Sequence, residues 1–281
     1  AHFYDPHDPH EVTEQYQEGF RDLYDAEIAY VDDQIKRLLE GFGGDKDTIW
    51  VLIADHGEAF NHEHNESSHG LYLFDPTMKI PFIIKPSEDL ERTSIITQPV
   101  SVIDLTPTVL SLLNVPPLKN IDGIDVLSYD ARARDSIYME SVVAQQRFGF
   151  HPEIAALNND FKLMATPNPL LFNLNNDPLE TDNLFGTEPV IQEQMARKAR
   201  ALFLDEPFFS GASPAPEAVA QLQALGYMST DFDTPSLDEH ITDAKDMGEI
   251  ITHLEILAYR SKDPNTLPSE LEREYRQVLE N

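Results

Sequence analysis

Three clusters of titratable side chains crowd the first 70 residues. They are His2, Asp5, His7 and His10 in the opening stretch, then Asp55-His56-Gly57-Glu58, then His62, His64 and His69 between Asn61 and Gly70. Carboxylates and imidazoles together offer hard and borderline ligands to a divalent cation, and an imidazole is well poised to give up a proton near neutral pH. Each cluster taken singly also suits a plainer role, because His-rich polar loops are commonly solvated and Asp and Gly are ordinary turn residues. Three of them in so short a span, one at the end of an apolar run, favour a metal or acid–base site. The residue types alone leave both readings open.

The elements that must position these clusters follow from periodicity. Leu23, Ile28, Val31, Ile35, Leu38 and Leu39 recur at helical spacing, and Gly41-Phe42-Gly43-Gly44 stops the run, which predicts an amphipathic helix from residue 23. Thr48–Ala54 is a continuous apolar, β-branched run, the pattern of a strand buried on both faces and central in a mixed sheet. It ends directly in Asp55, and in open α/β sheets ligands bind beyond the carboxyl ends of strands. Ile80–Lys85 reads as a second strand. Ser101–Leu113 reads as a helix capped by Ser101 or Asp104 and closed by Pro116-Pro117. Asp135–Ser141 is a further strand candidate, and Asn159–Ala165 with Leu170–Leu174 form a candidate hairpin. Residues 1–20 read as an irregular loop, and helices dominate after residue 185, interrupted around Phe208–Pro216. The organisation expected is a catalytic-domain portion over 1–228 and a polar helical appendage over 229–281.

Composition narrows the classes. The 281 residues are 41% hydrophobic and 25% charged, enough apolar material for a sizeable core. The formal charge of −30 repels phosphate backbones, so nucleic acid is not an expected partner. We read the acidity as a solubility or salt adaptation. No run of about 20 apolar residues could span a bilayer. The absence of Cys excludes a disulfide framework, a thiolate zinc site and a cysteine nucleophile within these residues. Ala1-His2-Phe3 brings no basic or apolar leader, so the natural start is expected to lie elsewhere.

The order of the motifs is more specific than their composition. Asp5-Pro6-His7-Asp8-Pro9, Asp25–Asp32, Ile53-Ala54-Asp55-His56-Gly57-Glu58, His69-Gly70, Ile80-Pro81-Phe82-Ile83-Ile84 and Asp104-Leu105-Thr106-Pro107-Thr108 follow one another in a sequence that closely resembles the sulfatase family of the alkaline phosphatase superfamily. Leu171–Leu184, with Asn176-Asp177-Pro178-Leu179-Glu180, is similar to that family's LYDLxxDPxExxNL segment. Glu140-Ser141 to Phe148-Gly149-Phe150, and Leu222–Tyr227, are similar to a subgroup that continues into helical repeats. The resemblance runs from residue 1 to about residue 228. It implies an α/β, alkaline-phosphatase-like mixed sheet flanked by helices, here a partial domain with a helical C-terminal tail.

The resemblance also implies roles, residue by residue. Asp55 and His56 match the pair that completes a divalent metal site, usually calcium, with manganese or zinc as alternatives. His7 matches the histidine that faces the leaving oxygen of the ester. His69 lies within about one residue of the position where many members place a lysine against the anionic group. His62 and His64 are extra to the pattern and expected on a solvent-facing loop, and Lys79 is either a contributor of positive potential or a surface lysine. No Cys/Ser-x-Pro-x-Arg segment, the family's formylglycine site, occurs in the sequence. The expectation is therefore the C-terminal portion of a sulfate ester hydrolase, inactive alone, whose partner is the N-terminal half of the same enzyme. Small sulfate or phosphate esters are the expected substrates, and a periplasmic or secreted setting is favoured by the resemblance. A phosphodiesterase or phosphonate monoester hydrolase, and a non-catalytic scaffold, are the alternatives.

Overall fold

A computed structural model describes residues 1–7, 10–42, 47–60, 64–87, 95–128, 134, 136–205, 237, 240–261 and 266–280. Its contacts group residues 1–52 with 83–94 as one compact unit, and 53–82 with 95–281 as a second.

The first unit is built on helix α2 (Leu23–Gly41), preceded by the single turn α1 (Glu14–Gln17). The helix starts where the Asp22 carboxylate accepts from the Asp25 amide at 2.9 Å, and it closes where the Phe42 amide reaches the Leu38 carbonyl at 3.1 Å. Glu27, only 1% exposed, accepts the Glu11 amide at 2.8 Å and pairs with His10 Nδ1 at 2.6 Å. A buried carboxylate needs such partners, so this pair ties the opening loop down onto α2. Strand β1 (Trp50–Ile53) follows and pairs with β2 (Phe82–Lys85) as a two-stranded sheet. Here the burial differs from the sequence reading. Leu52 is 41% and Ile83 57% exposed, so β1 is half-buried instead of central, because among the described residues its only strand neighbour is β2.

The second unit carries α3 (Asp75–Met78), a 3₁₀ turn at Val102–Asp104 leading into α4 (Leu105–Leu112), and an antiparallel sheet β3-β4-β5-β6. The strands are β3 (Ile137–Ser141), β4 (Glu153–Leu157), β5 (Phe161–Met164) and β6 (Leu170–Asn173), with α5 (Val143–Phe148) between β3 and β4. Helices α6 (Pro189–Asp205), α7 (Gly248–Arg260) and α8 (Pro268–Glu280) complete it. Ser101 and Asp104 do form the cap read from sequence, as a reciprocal capping box. Asp104 goes further: buried, it also accepts the Ile124 amide at 2.9 Å and takes a two-pronged pair with Arg134 at 3.0 and 2.6 Å.

The sheet alternates its side chains between two apolar layers. Ala155, Met164 and Phe172 face a cluster with Leu71, Tyr72, Leu73, Phe74 and Ile251. Ile154, Ala156, Leu163 and Leu171 face Met195, Ala199 and Phe203 of α6. Strand β4 was not legible beforehand, since Glu153-Ile154-Ala155-Ala156-Leu157 shows neither alternation nor β-branched enrichment. The interruption at Phe208–Pro216 and the Leu222–Tyr227 motif lie outside the described residues. In the C-terminal stretch Ala244, Ile251 and Leu257 are buried. Among the described residues no helix is long and apolar enough to cross a membrane.

Candidate active site

Asp55 and His56 follow β1 after one further residue, Ala54. The Asp55 carboxylate is 76% exposed, and its Oδ1 accepts from the His56 amide at 3.0 Å. His56 Nδ1 lies 2.9 Å from the Gly57 carbonyl oxygen. A carbonyl can only accept, so Nδ1 carries the proton, and in the neutral ring the lone pair sits on Nε2. That Nε2 is 3.9 Å from Asp55 Oδ2. Two donors at that separation can reach one cation over bonds of about 2.0–2.6 Å.

Gly57 owes its identity to a close approach. A Cβ there would stand 2.2 Å from the Pro76 carbonyl oxygen, and the Gly57 amide donates to the Thr77 carbonyl at 2.8 Å. The turn at α3 thus packs directly on the backbone that carries His56. Gly57→Ala must push these two strands of chain apart. We expect a loss of more than about 3 kcal/mol in urea unfolding, the upper end of overpacking effects. A loss below about 1 kcal/mol would show that the approach is looser than drawn.

His69 returns to this point by tertiary folding. Its ring stacks on that of His56 at 3.9 Å between centroids and 26° between planes. Its Nδ1 is 3.1 Å from Glu58 Oε2 and 3.3 Å from Ser68 Oγ. The hydrogen bond to Glu58, against the opposing effect of burial, raises the His69 pKa above the ordinary imidazole value. Glu58 closes the Asp55-His56-Gly57-Glu58 motif. Its other oxygen, Oε1, is buried and has no hydrogen-bond partner among the described residues. Nothing in the spacing from Glu58 to His69 signals their contact, because the loop between them has no regular period.

The remaining histidines separate. His64 is half-buried: it stacks flat on Phe74 at 3.6 Å, and its Nε2 is 3.1 Å from the Leu179 carbonyl. His62 lies outside the described residues. His10 serves the Glu27 tether. His7 stacks on Tyr4, with centroids 4.5 Å apart and planes at 27°, and belongs to the first unit. Lys79 is exposed.

A buried charge cluster supports the floor of the second unit. Lys162 Nζ, 0% exposed on β5, lies 2.8 Å from both Asp75 Oδ1 and Glu180 Oε1. Glu180 Oε2 also accepts the Asp75 amide at 2.6 Å. One ammonium thus joins β5, the start of α3 and the turn at residues 177–180.

Comparison with known proteins gives this geometry a context. Residues 1–115 match the Sulfatase family model. The uncharacterized sulfatase YidJ of Escherichia coli (strain K12) is 32% identical over 168 residues, covering 58% of this chain and 33% of that protein. Among solved structures, Ps i-CgsB superposes with a TM-score of 0.60 at 19% identity, covering 79% of this chain and 53% of that one. The phosphonate monoester hydrolase SpPMH from Silicibacter pomeroyi gives 0.53 at 22% identity, covering 70% and 43%. The fold is a mixed α/β fold with sheets flanked by helices and a helical C-terminal region, matching that of sulfatase structures. Residues 1–115 thus carry the sequence pattern of the sulfatase family. The chain spans 21–38% of the length of the curated relatives it matches.

Sulfatases generally use a divalent metal. Among the described residues no group of three or more His, Asp or Glu side chains is arranged to hold one. Asp55 and His56 fit such an ion as a pair of donors, with the His56 tautomer already set by Gly57.

Proposed function

We propose that this chain supplies part of the active site of a metal-dependent hydrolase of sulfate esters. The observation that carries the reading is the gathering of Asp55, His56, Glu58 and His69 at the carboxyl end of β1. Asp55 and His56 would hold the cation, Ca²⁺ by preference, with Mn²⁺ or Zn²⁺ as alternatives. When bound, such an ion polarises the sulfuryl oxygens of the ester. His69, its Nδ1 side held by Glu58, presents positive charge to the sulfate group. For His7, which belongs to the first unit, the resemblance alone supports the role of handing a proton to the departing oxygen. No nucleophile segment of the Cys/Ser-x-Pro-x-Arg type is present. The nucleophile and further acidic ligands therefore come from a partner segment equivalent to an N-terminal half. The exposed Leu52 and Ile83 on β1 and β2 offer apolar surface to strands from such a segment.

Calorimetric titration of the chain with CaCl₂ tests the site. We expect weak binding through two protein donors, lost in Asp55→Asn, and no turnover of an aryl sulfate by the chain alone. Binding unchanged in Asp55→Asn would overturn the assignment.

A second reading has its own support. The phosphonate monoester hydrolase of S. pomeroyi superposes with a TM-score of 0.53, the same as the structure of BT4656 with its disulfated glucosamine substrate, so the fold does not separate the two chemistries. Activity of the enzyme completed by its partner segment, on an aryl sulfate against a phenyl phosphonate, separates them.

A further inference from the structure

The stretch that carries His69 is fixed on both sides by the same C-terminal segment. On one side Thr252, on α7, donates its hydroxyl to the Asn65 carbonyl at 2.8 Å. On the other the Tyr72 hydroxyl, on a side chain only 1% exposed, donates to the Ala244 carbonyl at 3.1 Å. Between these two bonds α7 begins at Gly248, where a Cβ would lie 3.1 Å from the Tyr72 hydroxyl and 3.4 Å from Asn65 Cβ. The helix start touches the loop closely enough that a side chain there would have to displace it. Asn65 also holds a positive φ of 53°, the left-handed region that asparagine adopts more readily than most residues.

The segment can act as a fixed support because it is itself anchored. Lys245 Nζ bonds Asp243 at 2.7 and 2.9 Å and Thr166 at 2.6 Å, and Asp243 accepts the Asn168 amide at 2.9 Å. Thr166 and Asn168 belong to the turn between β5 and β6, so residues 243–245 are locked to the sheet. Ile251, one residue before Thr252, is buried in the same cluster as Leu71, Tyr72, Leu73 and Phe74. Inside the loop, Glu66 Oε1 accepts the Leu71 and Tyr72 amides at 2.8 and 2.9 Å, and the Ala59 amide reaches the Ser68 carbonyl at 3.1 Å. These bonds shape the loop. A further bond, from the Ser141 hydroxyl on β3 to the Gly70 carbonyl, ties the residue after His69 to the sheet edge, so the C-terminal segment shares the holding of this loop.

We infer that Thr252 and Tyr72 are positioning residues for His69, and that the segment 243–252 is a working part of the site, acting through the Asn65–Tyr72 loop. The inference rests on the proposed role of His69 at the anionic group. It moves function into a region that lies beyond the matched family model, which ends at residue 115.

The test reads the position of His69 directly and needs neither ester, metal nor partner. The full chain is labelled with ¹⁵N-histidine, and the His69 ring signals are assigned by their loss in His69→Gln. Amide exchange at Leu71 and Tyr72 is followed in parallel. Thr252→Val and Tyr72→Phe are expected to move the His69 ring signals and to speed exchange at both amides by about tenfold, the effect of losing one buried hydrogen bond. Thr252→Ser, which keeps the hydroxyl, should restore both. Phe203→Leu, in the cluster on the other face of the sheet, should lower stability without moving His69. His69 signals unmoved by both Thr252→Val and Tyr72→Phe would overturn the inference, as would an equal movement in Phe203→Leu. If Thr252→Val does not fold, the comparison of Tyr72→Phe with Thr252→Ser decides alone. Failure of the calcium titration would remove the sulfatase reading and leave this result standing, so the two can fail separately.

Discussion

In the enzyme completed by its partner segment, His7→Ala is expected to slow hydrolysis of an alkyl sulfate by about 10²–10⁴-fold while leaving calcium affinity unchanged. Rupture of the ester's S–O bond leaves charge on the departing oxygen, and a neighbouring imidazolium lowers that barrier by giving its proton as the bond breaks. The penalty should shrink for a nitrophenyl sulfate, whose leaving group departs with little protonation. Asp55→Asn should behave differently, losing metal affinity and turnover together. Rates for activated and unactivated esters, set beside calorimetric metal affinities, make the comparison. A His7→Ala enzyme that loses calcium, or that suffers equally on both esters, would show that His7 does something else.

Lys162→Met is expected to lower stability by about 3–5 kcal/mol, the range for removing one partner of a buried ion cluster. For a unit of this size that is a fall of roughly 6–20 °C in Tm. The loss arises because Glu180, fully buried, and Asp75 would be left facing each other with no cation between them. Burial already raises the Glu180 pKa despite the attraction of Lys162, and without the lysine it must rise further. A folded-state pKa above the unfolded one means that the folded chain binds more protons. The defect should therefore be greatest at neutral pH and shrink as pH falls through the folded pKa towards the ordinary carboxylate range. Lys162→Met combined with Glu180→Gln should recover much of the loss by removing the stranded charge. Thermal unfolding at pH 5 and pH 8 checks all three statements. A single variant within about 1 kcal/mol of the parent at both pH values would mean that the cluster is held by something other than its charges.

Much of what positions the site was legible from local pattern. Helix α2, its Asp22 cap and its stop near Phe42 follow from a helical period over 19 residues, a signal carried by neighbours in the chain. The capped turn at Ser101 and Asp104 that leads into α4, and the β5–β6 hairpin, are equally local. The order of short motifs, above all Asp55-His56-Gly57-Glu58 at the end of an apolar run, carried the resemblance to the sulfatase family over residues 1 to about 228, and the family model matches its first part, residues 1–115. Other features were closed to that kind of reading. A lysine in Phe161-Lys162-Leu163-Met164 reads as the solvent side of a strand, and only the carboxylates of Asp75 and Glu180, brought from distant parts of the chain, make its burial tolerable. The family's motifs put His69 near the site but not against His56 and Glu58, and the linking loop carries no periodicity that would predict its path. Nor does the polar C-terminal stretch announce that Thr252 and Ala244 will meet that loop. Chain-local forces of capping and periodicity determined the elements and the motif. Desolvation and the pairing of buried polar groups, which depend on residues far apart in sequence, decided which side chains face one another at the site.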